Sequence, residues 1–270
     1  MIITDEFIMI NLPKTGSTFA VSKMFEVHGK INKDIVYRIK NLGKKKEIKE
    51  LLLPNIKVET PLKHKDKHGT YSQIPKELLS EKRTIMSIIR NPYDAYVSRY
   101  KYKAYADPSR GDEFFRIIRK DYPNFPDFSF SEYLQYIQNR GVPKRIKIMG
   151  GNDLSVDIGV LSLQFIQMYA IDPKKVLDVL DYDFFEKGFH KTYFPDIHFL
   201  KNENLSAELY DFLLNKGYKE KYIEFIKSSK KINVSVKDGN HQNYYTPADI
   251  KFIKSKEWFL FEFFPDYKRK

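Results

Sequence analysis

Three residues that could bind an anion, Lys14, Ser17 and Thr18, follow a short apolar run that begins at Phe7. Gly16 lies among them, and apolar residues with helical spacing come next, so the order predicts a buried strand, a tight turn and a helix. The first N–H groups of a helix lack partners inside the helix, and the helix dipole is positive at that end. The segment therefore predicts a phosphate-binding turn that adds one positive charge and two hydroxyl groups. Ser17 could instead serve only as the N-cap of the helix.

A second segment of the same kind starts where the β-branched apolar run Thr84–Ile89 ends. Arg90 follows the run directly, Pro92 fits the first position of a new helix, and Ser98 comes about two turns later. A guanidinium group and a hydroxyl group are suited to hold a phosphate monoester. The alternative is that Arg90 forms a surface ion pair and that Ser98 is simply exposed.

The order of residues in these segments distinguishes between kinds of phosphate loop. A Walker A loop needs Gly-x4-Gly-Lys-Ser/Thr, and a Rossmann fingerprint needs three spaced glycines. Neither pattern is present around Gly16. The stretch 13–18, Pro-Lys-Thr-Gly-Ser-Thr, resembles the 5′-phosphosulfate loop of the sulfotransferases. The stretch 90–100 resembles their 3′-phosphate loop, including the eight-residue step from Arg90 to Ser98.

The resemblance implies the sulfuryl donor 3′-phosphoadenosine-5′-phosphosulfate (PAPS) and no metal ion. Transfer of a sulfuryl group depends on positioning and on stabilising the negative charge that spreads over the oxygens. Lys14 would neutralise the oxygen of the departing 5′-phosphate. The donor-binding residues that the resemblance implies are Lys14, Thr15, Gly16, Ser17 and Thr18 at the 5′-phosphate, Arg90 and Ser98 at the 3′-phosphate, and Lys237 in a loosely matching basic loop.

An acceptor hydroxyl also needs a general base, and histidine is the usual one near neutral pH. His68 lies 22 residues before Arg90, which is the step at which the cytosolic sulfotransferases place their catalytic histidine. We therefore expect His68 and Lys14 to be the catalytic residues. His64 is the first alternative as the base. Glu59 is the second alternative, because some glycan sulfotransferases use a glutamate.

The order of elements predicts an α/β fold with three layers, in which helices flank a mostly parallel central sheet of about five strands. We expect one sulfotransferase domain over residues 1–270, with an insertion at about 104–160 that shapes the acceptor site. Further expected elements are strands at Ile56–Thr60, Val176–Leu180 and Ile197–Lys201, a helix at Lys44–Leu53, a loop at Arg140–Leu154, and the family's structural marker Asn-Glu-Asn-Leu at 202–205.

Composition limits the other classes of function. The 270 residues include 42% hydrophobic residues and no cysteine, so a full core can form while disulfides are excluded. The N-terminal stretch is not typical of a signal peptide, so we expect a cytoplasmic protein without a membrane partner. The net charge of +12 suits an anionic ligand. The alternatives are a P-loop-type kinase or NTPase, whose Gly-Lys-Ser/Thr is absent, and a basic nucleic-acid-binding protein, for which no binding motif is present. The expected partner is a small-molecule or glycan acceptor and no nucleic acid, and the oligomeric state is left open.

Overall fold

The computed structural model describes residues 1–55, 64–80, 82–229 and 241–268. The chain forms two compact units, each built from two separate stretches of sequence. Unit 1 comprises Met1–Arg90 and Pro195–Val234, and unit 2 comprises Asn91–Phe194 and Ser235–Lys270. The single-domain organisation stays a prediction.

The regular elements of these residues are numbered in chain order. The strands are β1 (Ile2–Thr4), β2 (Phe7–Ile10), β3 (Ile48–Glu50), β4 (Leu53–Pro54), β5 (Lys65–Asp66), β6 (Thr84–Ile89) and β7 (His198–Lys201). The helices are α1 (Ser17–Lys33), α2 (Ile35–Lys40), α3 (Lys76–Ser80), α4 (Pro92–Tyr102), α5 (Asp112–Asp121), α6 (Phe130–Ile148), α7 (Val160–Tyr169), α8 (Pro173–Val179), α9 (Phe189–Tyr193), α10 (Leu205–Asn215), α11 (Glu220–Ile223), α12 (Phe225–Ser228), α13 (Pro247–Lys256) and α14 (Trp258–Phe263).

Unit 1 is built around one sheet with the strand order β3-β1-β2-β6-β7. The neighbours β2, β6 and β7 are parallel, whereas β1 is antiparallel to both β2 and β3. All strands of this sheet except β1 therefore run in the same direction. Every residue of β2 is buried, as expected for a parallel strand that is covered on both faces. These observations confirm the predicted α/β fold with a mostly parallel, five-stranded sheet flanked by helices.

The core of unit 1 lies between one face of this sheet and the helices α1 and α10. Phe7 and Met9 of β2 point into it, and the Phe7 ring meets the edge of Phe212 of α10 at a centroid distance of 5.1 Å. Met24 of α1 is buried in the same cluster. Burying each such side chain stabilises the fold by about 1.5–3 kcal/mol. The packed sheet fixes the ends of β2 and β6, where the two predicted phosphate segments begin.

The structure corrects two of the predicted elements and gives the reason in each case. The segment Lys44–Leu53 is not a helix, because β3 pairs with β1 in the register Ile2 to Glu50, and this pairing overrides the helix-favouring Lys and Glu residues. The segment Val176–Leu180 is not a strand but the end of α8. Pro173 occupies the first turn of that helix and the Asp172 side chain caps it, accepting from the N–H of Lys175 at 3.2 Å.

The predicted loop Arg140–Leu154 is also wrong, because α6 continues to Ile148 with Pro143 inside it. A capping box formed by Ser129 and Glu132 starts the helix. Arg145 then ties its C-terminal half to α7. The strands at Thr84–Ile89 and near Ile197–Lys201 are confirmed. The strand expected at Ile56–Thr60 lies outside the described residues.

Candidate functional site

The turn between β2 and α1 has two residues in the left-handed region of backbone conformation. Lys14 has a φ of 67° and Gly16 a φ of 88°. Gly16 is the N-cap of α1, and no side chain caps this end of the helix. Ser17 is therefore the first helical residue and not the N-cap, which corrects one alternative drawn from the sequence. The first turn of the 17-residue helix α1 is thus left open to an external anion.

Gly16 is required by a close contact as well as by its backbone conformation. A Cβ atom at this position would lie 2.4 Å from Nδ2 of Asn202 and 2.9 Å from Cδ2 of Leu205. Asn202 follows β7 directly, and its Nδ2 donates a hydrogen bond of 2.8 Å to the carbonyl oxygen of Thr15. The stretch 202–205, expected only as a structural marker, thus holds the turn in place.

The carbonyl oxygens of the turn are bound by side chains of the protein. The oxygen of Ile10 accepts from Ser87 Oγ at 2.7 Å, and that of Asn11 accepts from His68 Nδ1 at 2.7 Å. The oxygen of Leu12 accepts from Thr15 Oγ1 at 2.9 Å and from Ser17 Oγ at 3.3 Å. The oxygen of Lys14 accepts from Arg90 Nη1 at 3.3 Å, and that of Thr15 accepts from Asn202 Nδ2 at 2.8 Å. These bonds engage the negative ends of the peptide dipoles. A ring of engaged carbonyl groups favours an anion on the N–H side of the same turn.

The N–H groups at the start of α1 complete this picture. Those of Phe19 and Ala20 donate back to the carbonyl oxygen of Gly16, at 3.0 and 3.3 Å. Those of Ser17 and Thr18 have no acceptor among the residues that the structure describes. Two adjacent N–H donors at a helix N-terminus are typical of a place where an anion binds.

Arg90 and Lys14 meet at this turn although 76 residues separate them in the sequence. The guanidinium of Arg90 donates to the backbone oxygen of Lys14 at 3.3 Å. The contact arises because β2 and β6 are parallel neighbours, so the turns that follow them lie at the same edge of the sheet. Arg90 and the turn after β2 therefore lie at one place in unit 1.

The strands β4 and β5 pair antiparallel as a small hairpin, and His68 follows β5 and lies at the same turn. Its backbone N–H donates to Asp66 Oδ1 at 2.7 Å, and Gly69 packs so closely on Leu53 that a Cβ there would lie 2.3 Å from Cδ1. The Nδ1 of His68 lies 2.7 Å from the carbonyl oxygen of Asn11. A carbonyl can only accept, so this contact assigns the hydrogen to Nδ1 and leaves the lone pair on Nε2. The arrangement suits a general base.

The remaining predicted site residues are placed differently. His64 is exposed, and its backbone oxygen accepts from Asn55 in the hairpin. Ser98 is buried on α4, which belongs to unit 2, and its part in the site stays a prediction. Glu59 and Lys237 lie outside the described residues. Asn202 was missed as a site residue, although the rule that parallel strands end at the same edge could have found it beyond β7.

The family model described as sulfotransferase domain matches residues 4–158, which is more than half of the chain and includes both phosphate segments and His68. Among curated proteins, none matches the chain significantly. In the described parts of the chain, no three potential ligand side chains are grouped to hold a metal ion. No described helix is both long and apolar enough to cross a bilayer. The chain belongs to the sulfotransferase family and is a transferase of sulfuryl groups.

Proposed function

We propose that this protein transfers the sulfuryl group of PAPS to a hydroxyl or amine acceptor, with a carbohydrate as one candidate. The observation that carries the proposal is the contact between Arg90 Nη1 and the backbone oxygen of Lys14. It brings the guanidinium of Arg90 to the turn that carries Lys14 and precedes the open N-terminus of α1, as a donor with phosphate groups at its 5′ and 3′ positions requires. Gly16 supports the fit indirectly, because any side chain there would collide with Asn202 and Leu205 and so disturb the turn.

The contacts of the turn suggest which of its residues shape the loop and which would bind the phosphate. The hydroxyls of Thr15 and Ser17 donate to Leu12 and so shape the loop, while Thr18 is exposed. Backbone N–H groups, Thr18 and Lys14 would therefore bind the 5′-phosphate. Arg90 would bind the 3′-phosphate, and the family resemblance adds Ser98 and Lys237 to the donor-binding set.

The reaction would be an in-line displacement at sulfur. Nε2 of His68 accepts the proton of the acceptor hydroxyl as the acceptor oxygen bonds to sulfur. The bond between sulfur and the oxygen of the 5′-phosphate breaks, and Lys14 balances the charge that develops on that oxygen. The residues named here would position the reactants and stabilise the developing charge, and neither role requires a metal ion.

Thermal unfolding with nucleotides tests donor binding. Adenosine 3′,5′-bisphosphate should raise the melting temperature by mass action, and ATP should raise it much less. The variant Lys14→Ala should weaken protection by the bisphosphate and by AMP alike. Arg90→Lys keeps the charge but loses the planar fork, so it should weaken protection by the bisphosphate more than protection by AMP. Lys254→Ala, an exposed cation on α13, is the matched control.

Two results would contradict the proposal. Equal protection by ATP and the bisphosphate would show that the site does not select the 3′-phosphate. Protection by the bisphosphate that persists in both Lys14→Ala and Arg90→Lys would place nucleotide binding elsewhere. Transfer of label from PAPS to a panel of sugars, phenols and amines would then identify the acceptor class.

A further inference from the structure

Helix α2 and the turn after it expose an unusual number of aliphatic side chains. The side chains of Ile35, Val36, Ile39 and Leu42 are 71%, 57%, 72% and 91% exposed. Ile35 and Ile39 follow the spacing i, i+4 and so share one face of α2, and Leu42 lies in the turn directly after the helix. No residue of α2 is buried. We call these four side chains the α2 patch.

The α2 patch lies in a strongly basic stretch. Residues 30–46 contain seven Lys or Arg residues and one acidic residue, Asp34, which gives a net charge of +6. Five of these cations are exposed and have no ion pair with any described residue: Lys33, Arg38, Lys40, Lys44 and Lys45. The patch is therefore bordered by positive charge that no ion pair within the described residues compensates.

The single acidic residue does not offset this charge. Asp34 Oδ2 accepts hydrogen bonds from Lys221 Nζ at 2.6 Å and from the Tyr222 hydroxyl at 2.7 Å. Its other oxygen accepts from the N–H of Tyr37 at 3.0 Å and caps α2. These partners hold the pKa of Asp34 well below its usual range, with the Lys221 hydrogen bond as the largest cause. Asp34 fixes the helix in place and does not balance the exposed cations.

We propose that the α2 patch docks the protein reversibly on an anionic membrane surface. Such a surface offers hydrocarbon to the four aliphatic side chains and negative headgroups to the cations around them. A second copy of the chain would bring two stretches of charge +6 face to face, which opposes self-association. A nucleic acid would pair with the cations but leave the aliphatic side chains in water. This proposal departs from the expectation of no membrane partner, and it needs no spanning helix.

Cosedimentation with lipid vesicles tests this docking. The protein should bind vesicles of phosphatidylcholine with phosphatidylserine and should bind pure phosphatidylcholine vesicles at least about tenfold more weakly. The triple variant Ile35→Ser/Ile39→Ser/Leu42→Ser should lose binding to the anionic vesicles by about tenfold or more. Lys44→Glu/Lys45→Glu should weaken it and reduce its sensitivity to salt.

The matched control is Ile171→Ser/Leu214→Ser, whose side chains are 48% and 44% exposed and lie outside this stretch. It should bind anionic vesicles as the unchanged protein does. Because all replaced side chains are exposed, melting temperatures and protection by adenosine bisphosphate should be unchanged in every variant, so this test is independent of the donor site.

Three outcomes would overturn the docking proposal. The first is equal binding to neutral and anionic vesicles, and the second is full binding by the triple variant. The third is an absence of vesicle binding. In that case the patch could instead mediate self-association, which would appear as a mass increase that the triple variant abolishes, or bind an acidic protein.

Discussion

Replacing Gly16 by alanine should destabilise the protein and disable its anion site together. Two costs follow from the structure. A non-glycine residue in the left-handed region costs about 1–2 kcal/mol, and Gly16 has a φ of 88°. The new Cβ would lie 2.4 Å from Asn202 Nδ2, so that amide must move and give up its hydrogen bond to Thr15. Losing that bond costs about 0.5–1.5 kcal/mol.

The expected loss for Gly16→Ala is therefore about 1.5–3.5 kcal/mol in the free energy of unfolding. Gly43→Ala separates the two costs. Gly43 has a φ of 77°, close to that of Gly16, but a Cβ there would have nothing within 4 Å. It should lose only about 1–2 kcal/mol. Urea denaturation followed by circular dichroism gives both values, and thermal protection by adenosine 3′,5′-bisphosphate should disappear in the first variant alone.

The comparison of the two glycines can refute this reasoning. If Gly16→Ala proved no more destabilising than Gly43→Ala, the contact with Asn202 would carry no free energy. If Gly16→Ala kept full protection by the bisphosphate, the turn after β2 would not be where the nucleotide binds.

Three further predictions concern histidines and a buried carboxylate. His68→Ala should abolish sulfuryl transfer but weaken nucleotide protection only slightly, because it also frees the Asn11 carbonyl that Nδ1 holds, whereas His64→Ala should retain both; a loss of transfer in His64→Ala alone would reassign the base. Burial lowers the pKa of His28, so the unfolded chain takes up a proton that the folded one resists. The free energy of unfolding should thus fall as the pH drops through about 6.5, less steeply in His28→Asn, as urea titrations at several pH values would show. Glu257→Gln should cost about 1–3 kcal/mol, since an amide NH₂ would face the N–H and hydroxyl of Ser162, which both donate to the carboxylate; a melting temperature equal to that of the unchanged protein would contradict this.

The elements that sequence alone predicted correctly are those with strong local signals. The apolar β-branched run of β6 and the Pro92 that starts α4 both act over a few residues. Asn91 adds a side-chain cap, accepting from the N–H of Tyr93 at 3.0 Å. Local chemistry of this kind is visible without knowing what packs against it.

The elements that sequence mispredicted depend on partners far along the chain. Ile48–Glu50 carries two charged residues that suit a helix, and only its pairing with β1 makes it a strand. In α6, Pro143 and Gly141 are typical of a loop. The helix nevertheless persists because two of its side chains bond to the segment that follows it. Gln138 donates to the Ile158 carbonyl at 2.8 Å, and Arg145 donates to Gln167 Oε1 at 2.5 Å. Such contacts cannot be derived from the period of a pattern.

The candidate site shows the same division at finer scale. Residue type and order pointed to Lys14 and Arg90 as cations that could bind phosphate, and the family's spacing to Arg90 pointed to His68 as the general base. What the sequence did not show is that His68 and Arg90 also bind backbone oxygens of the turn, and that Asn202 does the same from β7.

Because of this double role, a substitution of Arg90 has two effects at once. Arg90 both presents a charge and engages the carbonyl of Lys14, so truncating it frees a peptide group to turn its oxygen toward the anion. Ser87 carries only the second role, holding the Ile10 oxygen at 2.7 Å from a fully buried position. Ser87→Ala should therefore weaken binding of adenosine 3′,5′-bisphosphate without removing any charge or any ligand contact, by about 0.5–1.5 kcal/mol. Isothermal titration measures this loss. Unchanged affinity in Ser87→Ala would mean that the turn keeps its shape without its carbonyl partners.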